Sequence, residues 1–94
     1  MSLNFEWDHA KAEANWNNHG VSFQLATTVF KDAFAFEFVE DREDYGEDRL
    51  MIIGMSQGAV LLYVVYTERG EVIRIISARR ATKHEQEFYF QQNA

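Results

Sequence analysis

Residues 60–80 constrain the fold more than any other part of this chain. Two runs rich in Val, Ile and Tyr flank Arg69-Gly70, which specifies antiparallel strands joined by a two-residue loop. Gly70 supplies the positive φ that such a turn demands. Closing the turn on Arg69-Gly70 sets Glu68 opposite Glu71, Tyr66 opposite Ile73, Val64 opposite Ile75, Leu62 opposite Ser77 and Val60 opposite Arg79. Alternation then gathers Val60, Leu62, Val64, Tyr66, Ile73 and Ile75 on one face. Leu61, Tyr63, Val65, Val72, Arg74, Ile76, Ala78 and Arg80 fall on the other. Both faces are largely apolar, so both need cover.

The remaining segments supply limited cover. Residues 4–7 read as a short strand, and Asp8 stands as N-cap of a helix over 9–19 that Gly20 ends. Ser22 caps a second helix over 23–31, where Phe23, Ala26, Thr27 and Phe30 recur at helical spacing, and Asp32 closes it. Phe34, Phe36 and Phe38 alternate as on a strand, and residues 41–48 form an acidic loop. A strand over 49–56 turns at Gln57-Gly58 into the hairpin. Thr82 and Glu85 form a capping-box pattern for a last helix over 83–92 that carries Phe88 and Tyr89 inward. The expected architecture is a single α/β (α+β) domain over 1–94. It has a four-stranded, mainly antiparallel sheet, two N-terminal helices and one C-terminal helix. In this register Leu50 and Ile52 share the face of Leu61, Tyr63, Val65 and Ile76. The N-terminal helices cover only the opposite face, and the apolar remainder is expected to bind a partner.

The chain has no cysteine, which excludes disulfides and thiolate–metal sites. No apolar run approaches the ~20 residues of a membrane helix, so a soluble, cytoplasmic protein is expected. Net charge is −6, which argues against nonspecific coating of nucleic acid. The charges are segregated, however: residues 32–48 hold eight of the fifteen acids, and Arg69, Arg74, Arg79, Arg80 and Lys83 are five of the nine bases. The histidines are scattered and the acidic loop lacks calcium-ligand spacing, so neither metal nor cofactor is expected.

Several segments resemble one family in order along the chain. Phe5-Glu6-Trp7-Asp8, Ala10-Lys11-Ala12 with Asn15, and His19-Gly20-Val21-Ser22-Phe23 are similar to the N-terminal signature of the BrnT toxins. Asp48-Arg49, then Val65-Tyr66-Thr67-Glu68-Arg69, then the run from Ile73 through Ser77-Ala78-Arg79-Arg80-Ala81-Thr82 with Glu85 resemble its middle and C-terminal parts. The chain departs from the pattern at 41–47 and at Trp16. The resemblance implies a RelE-like fold and a type II toxin–antitoxin ribonuclease that inhibits translation and growth. It further implies a BrnA-type antitoxin with a ribbon-helix-helix domain, so that operator DNA is met only through the antitoxin.

Metal-free RNA cleavage needs a base for the 2′-hydroxyl, cations for the charged phosphorane and an acid for the leaving oxygen. Arg49, Arg74, Arg79, Arg80 and Lys83 are candidate phosphate ligands, or else solvated charges paired with the acidic loop. Arg79 and Arg80 are adjacent on a strand and face opposite ways, and the register gives Arg80 to the face of Arg74. Lys11 is either a phosphate anchor or a helical lysine paired with Glu13 or Glu6. His19 has the intrinsic pKa of an acid–base catalyst, but a histidine beside a C-cap glycine also serves helix-terminal carbonyls. Tyr63 can stack on bases or pack in the sheet. The expected catalytic set is Lys11, His19, Arg49, Arg79 and Arg80, with Arg74, Lys83 and Tyr63 as RNA contacts. The alternative is a noncatalytic module whose sheet only docks a partner.

Overall fold

The computed structural model describes residues 3–40 and 48–93. Its elements are β1 (Asn4–Glu6), α1 (His9–His19), α2 (Phe23–Thr27), a 3-10 turn (Thr28–Lys31), β2 (Phe36–Glu40), β3 (Arg49–Met55), β4 (Leu61–Arg69), β5 (Val72–Arg80) and α3 (Lys83–Gln92). The caps explain the helix bounds. Asp8 accepts from the Lys11 N–H at 3.0 Å, Gly20 ends α1 at φ 66°, and Thr82 with Glu85 closes a complete capping box on α3. The predicted helix over 23–31 is shorter than expected, because it tightens into the 3-10 turn after Thr27. Phe34 lies outside β2, and all but Asp48 of the expected acidic loop lies outside the described residues. No helix among the described residues is long and apolar enough to cross a membrane.

The sheet has five strands in the order β1-β5-β4-β3-β2, not four. The additional member is β1, which lies parallel to β5 with Phe5 opposite Ile73. All other pairings are antiparallel.

Two one-residue differences change which side chains share a face. The β3–β4 loop is Gln57-Gly58-Ala59, with Ser56 N–H donating to the Val60 carbonyl at 3.0 Å and Ala59 at φ 59°. A three-residue loop ending in a left-handed residue is a stable hairpin alternative to the expected two-residue one. It sets Leu50 opposite Tyr66 and Ile52 opposite Val64, so both belong to the opposite face from the one expected. The main hairpin turns on Gly70-Glu71, with Arg69 opposite Val72 and Gly70 at φ 61°. Tyr66 therefore faces Ile75, and the first face keeps its predicted members near the turn. A β-bulge then leaves Ile76 unpaired, and the strand resumes with Val65 opposite Ser77, Val64 opposite Ala78, Tyr63 opposite Arg79 and Leu62 opposite Arg80. The predicted placement of Ala78 and Arg80 with Tyr63 is thus reversed.

The larger core lies where α1, α2 and the 3-10 turn cover the sheet (the α1/α2 face). Val21, Phe23, Ala26 and Val29 pack there on Ile52, Leu62, Val64, Tyr66, Ile75 and Ala78. Gly54 admits the 3-10 turn, since a Cβ there would stand 3.0 Å from the Ala35 Cβ and 3.2 Å from the Val29 Cβ. On the other side (the α3 face), Tyr89 joins Ile53, Leu61 and Ala81 in a smaller core. Phe88 stacks edge-on against Phe36 with centroids 5.1 Å apart.

Asp32 ties α3 to this frame. Its carboxylate accepts from the Tyr89 hydroxyl at 2.6 Å, the Met55 N–H at 2.8 Å and the Phe34 N–H at 3.0 Å. Burial pushes the Asp32 carboxyl up, but these three hydrogen bonds outweigh it and leave the group below its ordinary value. Burial, followed by the Asp32 hydrogen bond, pushes the Tyr89 phenol up to about 12. A raised folded-state value stabilises the fold below about pH 10, and that contribution is lost as pH rises towards the folded value. Tyr89→Phe is therefore expected to lose about 1–2 kcal/mol at neutral pH, since the acceptor is charged. Urea unfolding at pH 7 and at pH 11 checks this: the gap between wild type and variant should shrink at the higher pH. An unchanged gap would contradict the assignment.

Candidate active site

Rows of directly paired residues cross the α3 face. One row runs Phe36, Ile53, Tyr63, Arg79, and the next runs Phe38, Met51, Val65, Ser77. A third row carries Glu40 opposite Arg49 on β2–β3 and Thr67 opposite Arg74 on β4–β5. Rows two residues apart are separated by roughly 7 Å, so the outer two stand about 13 Å apart. An apolar stripe therefore lies between two cationic rows. α3 covers its near end, with Phe88 also 5.8 Å from Phe38. Phe38, Met51, Val65, Tyr63, Ser77 and Arg79 remain half-buried.

At the end of the first row the Arg79 guanidinium lies over the Tyr63 ring, 4.1 Å from its centroid. Arg79 also makes two parallel hydrogen bonds to Glu85, Nη1–Oε1 at 2.8 Å and Nη2–Oε2 at 3.0 Å. Those bonds hold the Glu85 carboxyl below its ordinary value. Burial first of all pushes the Tyr63 phenol up, so it is uncharged at neutral pH, and the charges of Arg79, Glu85, Glu40 and Arg49 all act on it. Arg49 Nε lies 3.9 Å from Glu40 Oε2, and Arg74 Nη1 donates to Glu6 Oε2 at 2.6 Å.

The structure thus brings together Arg49, Arg79, Arg74 and Tyr63 of the predicted residues. The bulge at Ile76 puts Arg79, not Arg80, on the face of Arg74 and Tyr63. Arg80 is exposed at the end of β5, on the side of Leu62 and Ala78. Lys11 and His19 are exposed on α1, the helix packed over the α1/α2 face. Lys11 and Arg74 both act on Asp8, whose carboxyl lies below its ordinary value chiefly through the Lys11 N–H. Among the described residues no hydrogen bond or ion pair joins the side chains of Lys11, His19 or Arg80 to the Tyr63–Arg79 pair. Lys83 is exposed at the start of α3. Tyr66, three residues further along β4, is buried, and its ring packs edge-on against Phe30 at 4.9 Å. Glu85 joins these site residues although the sequence marks it only as part of the helix cap. Its place six residues beyond Arg79, in a capping box that uses only part of its carboxylate, was the available signal. Among the described residues no three His, Asp or Glu side chains form a metal-holding group.

The fold is that of a ribonuclease toxin. The 1.1 Å crystal structure of the Brucella abortus ribonuclease toxin BrnT is similar to it with a TM-score of 0.68 and 28% identity, over 87% of this chain and 100% of that one. The model of the family described as "Ribonuclease toxin, BrnT, of type II toxin-antitoxin system" matches residues 7–85, and the chain belongs to that family. Membership implies an antitoxin partner. No curated protein sequence matches the chain.

Proposed function

We propose that the protein is a metal-independent endoribonuclease toxin whose RNA lies across the open part of the α3 face. The observation that carries this reading is the Tyr63–Arg79 pair, set beside an apolar stripe with Arg49 and Arg74 beyond it. Arginine neutralises a phosphorane without a metal, and an uncharged tyrosine offers a ring for base contact. In the proposed step the ribose 2′-oxygen attacks the adjacent phosphorus after losing its proton to a base. The 5′-oxygen leaves with a proton from an acid, and the products carry a 2′,3′-cyclic phosphate and a 5′-hydroxyl. Arg79 is assigned to the reacting phosphate, Tyr63 to the base beside it, and Arg49 and Arg74, in the row about 13 Å away, to flanking phosphates. Lys11, His19, Arg80 and Lys83, exposed and outside the rows, are assigned to the path of the strand.

The partner is proposed to be a BrnA-type antitoxin with a ribbon-helix-helix domain, encoded beside the toxin. It would silence the enzyme by covering the half-buried stripe of Phe38, Met51 and Val65, and it alone would contact operator DNA. Cleavage of RNA is expected to persist in EDTA, to yield cyclic phosphate ends and to stop on addition of the antitoxin. Loss of activity in EDTA with recovery on Mg2+ would overturn metal independence. One observation favours a second, noncatalytic reading: Arg49, Arg74 and Arg79 each face a glutamate. On that reading the antitoxin binds but the purified protein leaves RNA intact.

A further inference from the structure

Arginine has five N–H donors in a planar fork, and what each one does decides how the group can act. In Arg79 the end formed by Nη1 and Nη2 is taken by the two Glu85 oxygens, and Nη1 also donates to the Arg80 carbonyl at 3.3 Å. The side formed by Nε–H and the second Nη2–H carries no hydrogen bond among the described residues. These two donors are parallel and spaced to meet two oxygens of one phosphate. The guanidinium carbon rests over the Tyr63 ring, 4.1 Å from its centroid.

Glu85 itself is anchored. Its Oε1 accepts from the Thr82 N–H at 2.8 Å, and its own N–H donates to Thr82 Oγ1 at 3.2 Å. The side chain of Glu85 is 19% exposed and that of Arg79 35%. A carboxylate held this way sets a direction for whatever it binds. It also cancels part of the arginine's charge, which weakens general attraction for RNA. An ion pair of this kind is poorly suited to capturing an anion by charge alone and well suited to aiming one edge at it.

We infer that Glu85 is a positioning residue: it holds one edge of Arg79 so that the Nε–Nη2 edge is presented, on Tyr63, to a phosphodiester. The substrate rests on the ribonuclease reading above, whereas the aimed edge is a matter of geometry. A positioning role separates binding from turnover. Without Glu85 the local charge becomes more positive, so RNA binds at least as well, but the freed guanidinium finds the productive orientation less often.

Glu85→Gln tests this cleanly, because glutamine also completes a capping box and so preserves the start of α3. With an RNA oligonucleotide, kcat is expected to fall tenfold or more while KM stays constant or drops, and the urea midpoint should match wild type. Unchanged kcat, or a raised KM at unchanged kcat, would overturn the inference. A second measurement does not depend on cleavage. The 15N-resolved Nε–H signal of Arg79 should be distinct in wild type and should move on addition of inorganic phosphate. In Glu85→Gln it should merge with the other arginines and lose that response. If wild type cleaves no RNA, the ribonuclease reading fails and the Nε–H result decides the positioning role. An identical phosphate response in both proteins would overturn it.

Discussion

Asn15→Leu is expected to lower stability by about 3–5 kcal/mol, since it strands three buried backbone groups at roughly 1–3 kcal/mol each before relaxation. Asn15 is 6% exposed. Its Nδ2 donates to the Val21 carbonyl at 2.9 Å and the Ala78 carbonyl at 2.7 Å, and its Oδ1 accepts from the Ala78 N–H at 3.0 Å. The need arises in the sheet. β1 pairs with β5 only as far as Glu6 opposite Arg74, so the outer edge of β5 is left without a strand beyond that point. The Asn15 amide takes the strand's place at Ala78. Leucine keeps the same branching at Cγ with no polar atom, so the variant removes the hydrogen bonds while retaining the outline of the side chain. With total stability of about 5–15 kcal/mol for such a domain, the variant should unfold at a far lower urea concentration. Asn15→Asp should add a pH dependence, because an oxygen would replace the Nδ2 that faces two carbonyls. Its folded pKa would be raised, so the variant should be best tolerated near pH 4 and should lose stability as pH rises towards neutrality. A loss under about 1 kcal/mol for Asn15→Leu would contradict this role.

Arg79→Ala is expected to reduce RNA cleavage by about 100- to 1000-fold, the usual effect of removing a donor aimed at developing charge. Arg80→Ala should have a much smaller effect, because Arg80 pairs opposite Leu62 and does not share the row of Tyr63. The contrast matters more than either value, since the two residues are neighbours with the same chemistry. Neither variant should unfold the protein, as a half-exposed ion pair such as Arg79–Glu85 contributes only about 0–1 kcal/mol. Initial rates on one RNA oligonucleotide, with growth arrest at matched expression, measure both. Equal losses in the two variants would show that the rows of the α3 face do not define the site.

Much of the frame was legible because it depends on local chemistry. Asp8 and Gly20 bound α1, Thr82 and Glu85 begin α3, and Gly70 marks the hairpin turn. What was not legible depends on counting residues between strands. In β3 the run Leu50-Met51-Ile52-Ile53 is apolar at every position, so alternation could not tell which pair faces which core. The choice fell to the loop, where Ala59 adds one residue to the expected turn. In β5 the same indifference hid the bulge at Ile76, since Ile75 and Ile76 are equally apolar. The candidate site suffered directly. The arginine pair was plain in the sequence, but which arginine joins Arg74 was settled by a residue with no chemistry of its own. That β1 joins the sheet was also hidden, because three residues carry too little pattern to name a partner strand.

Ile76 gives β5 two reading frames, one before the bulge and one after it. The Arg79-Arg80 doublet would offer a cation at the strand's end in either frame, so chemistry alone does not choose between them. Burial does. Only the observed frame sets Ala78, which is 0% exposed, under the helices, and a slip by one residue would force Ser77 or Arg79 into that space. The docking of α1 therefore selects the frame, and the frame selects the arginine. Deleting the Ile76 codon would remove the bulge and leave the later pairings, Tyr63 opposite Arg79 among them, as they stand; keeping Ile76 but pairing it would exchange the two arginines. Any alignment of β5 with a relative lacking the extra residue would need a gap there before its arginines could be compared.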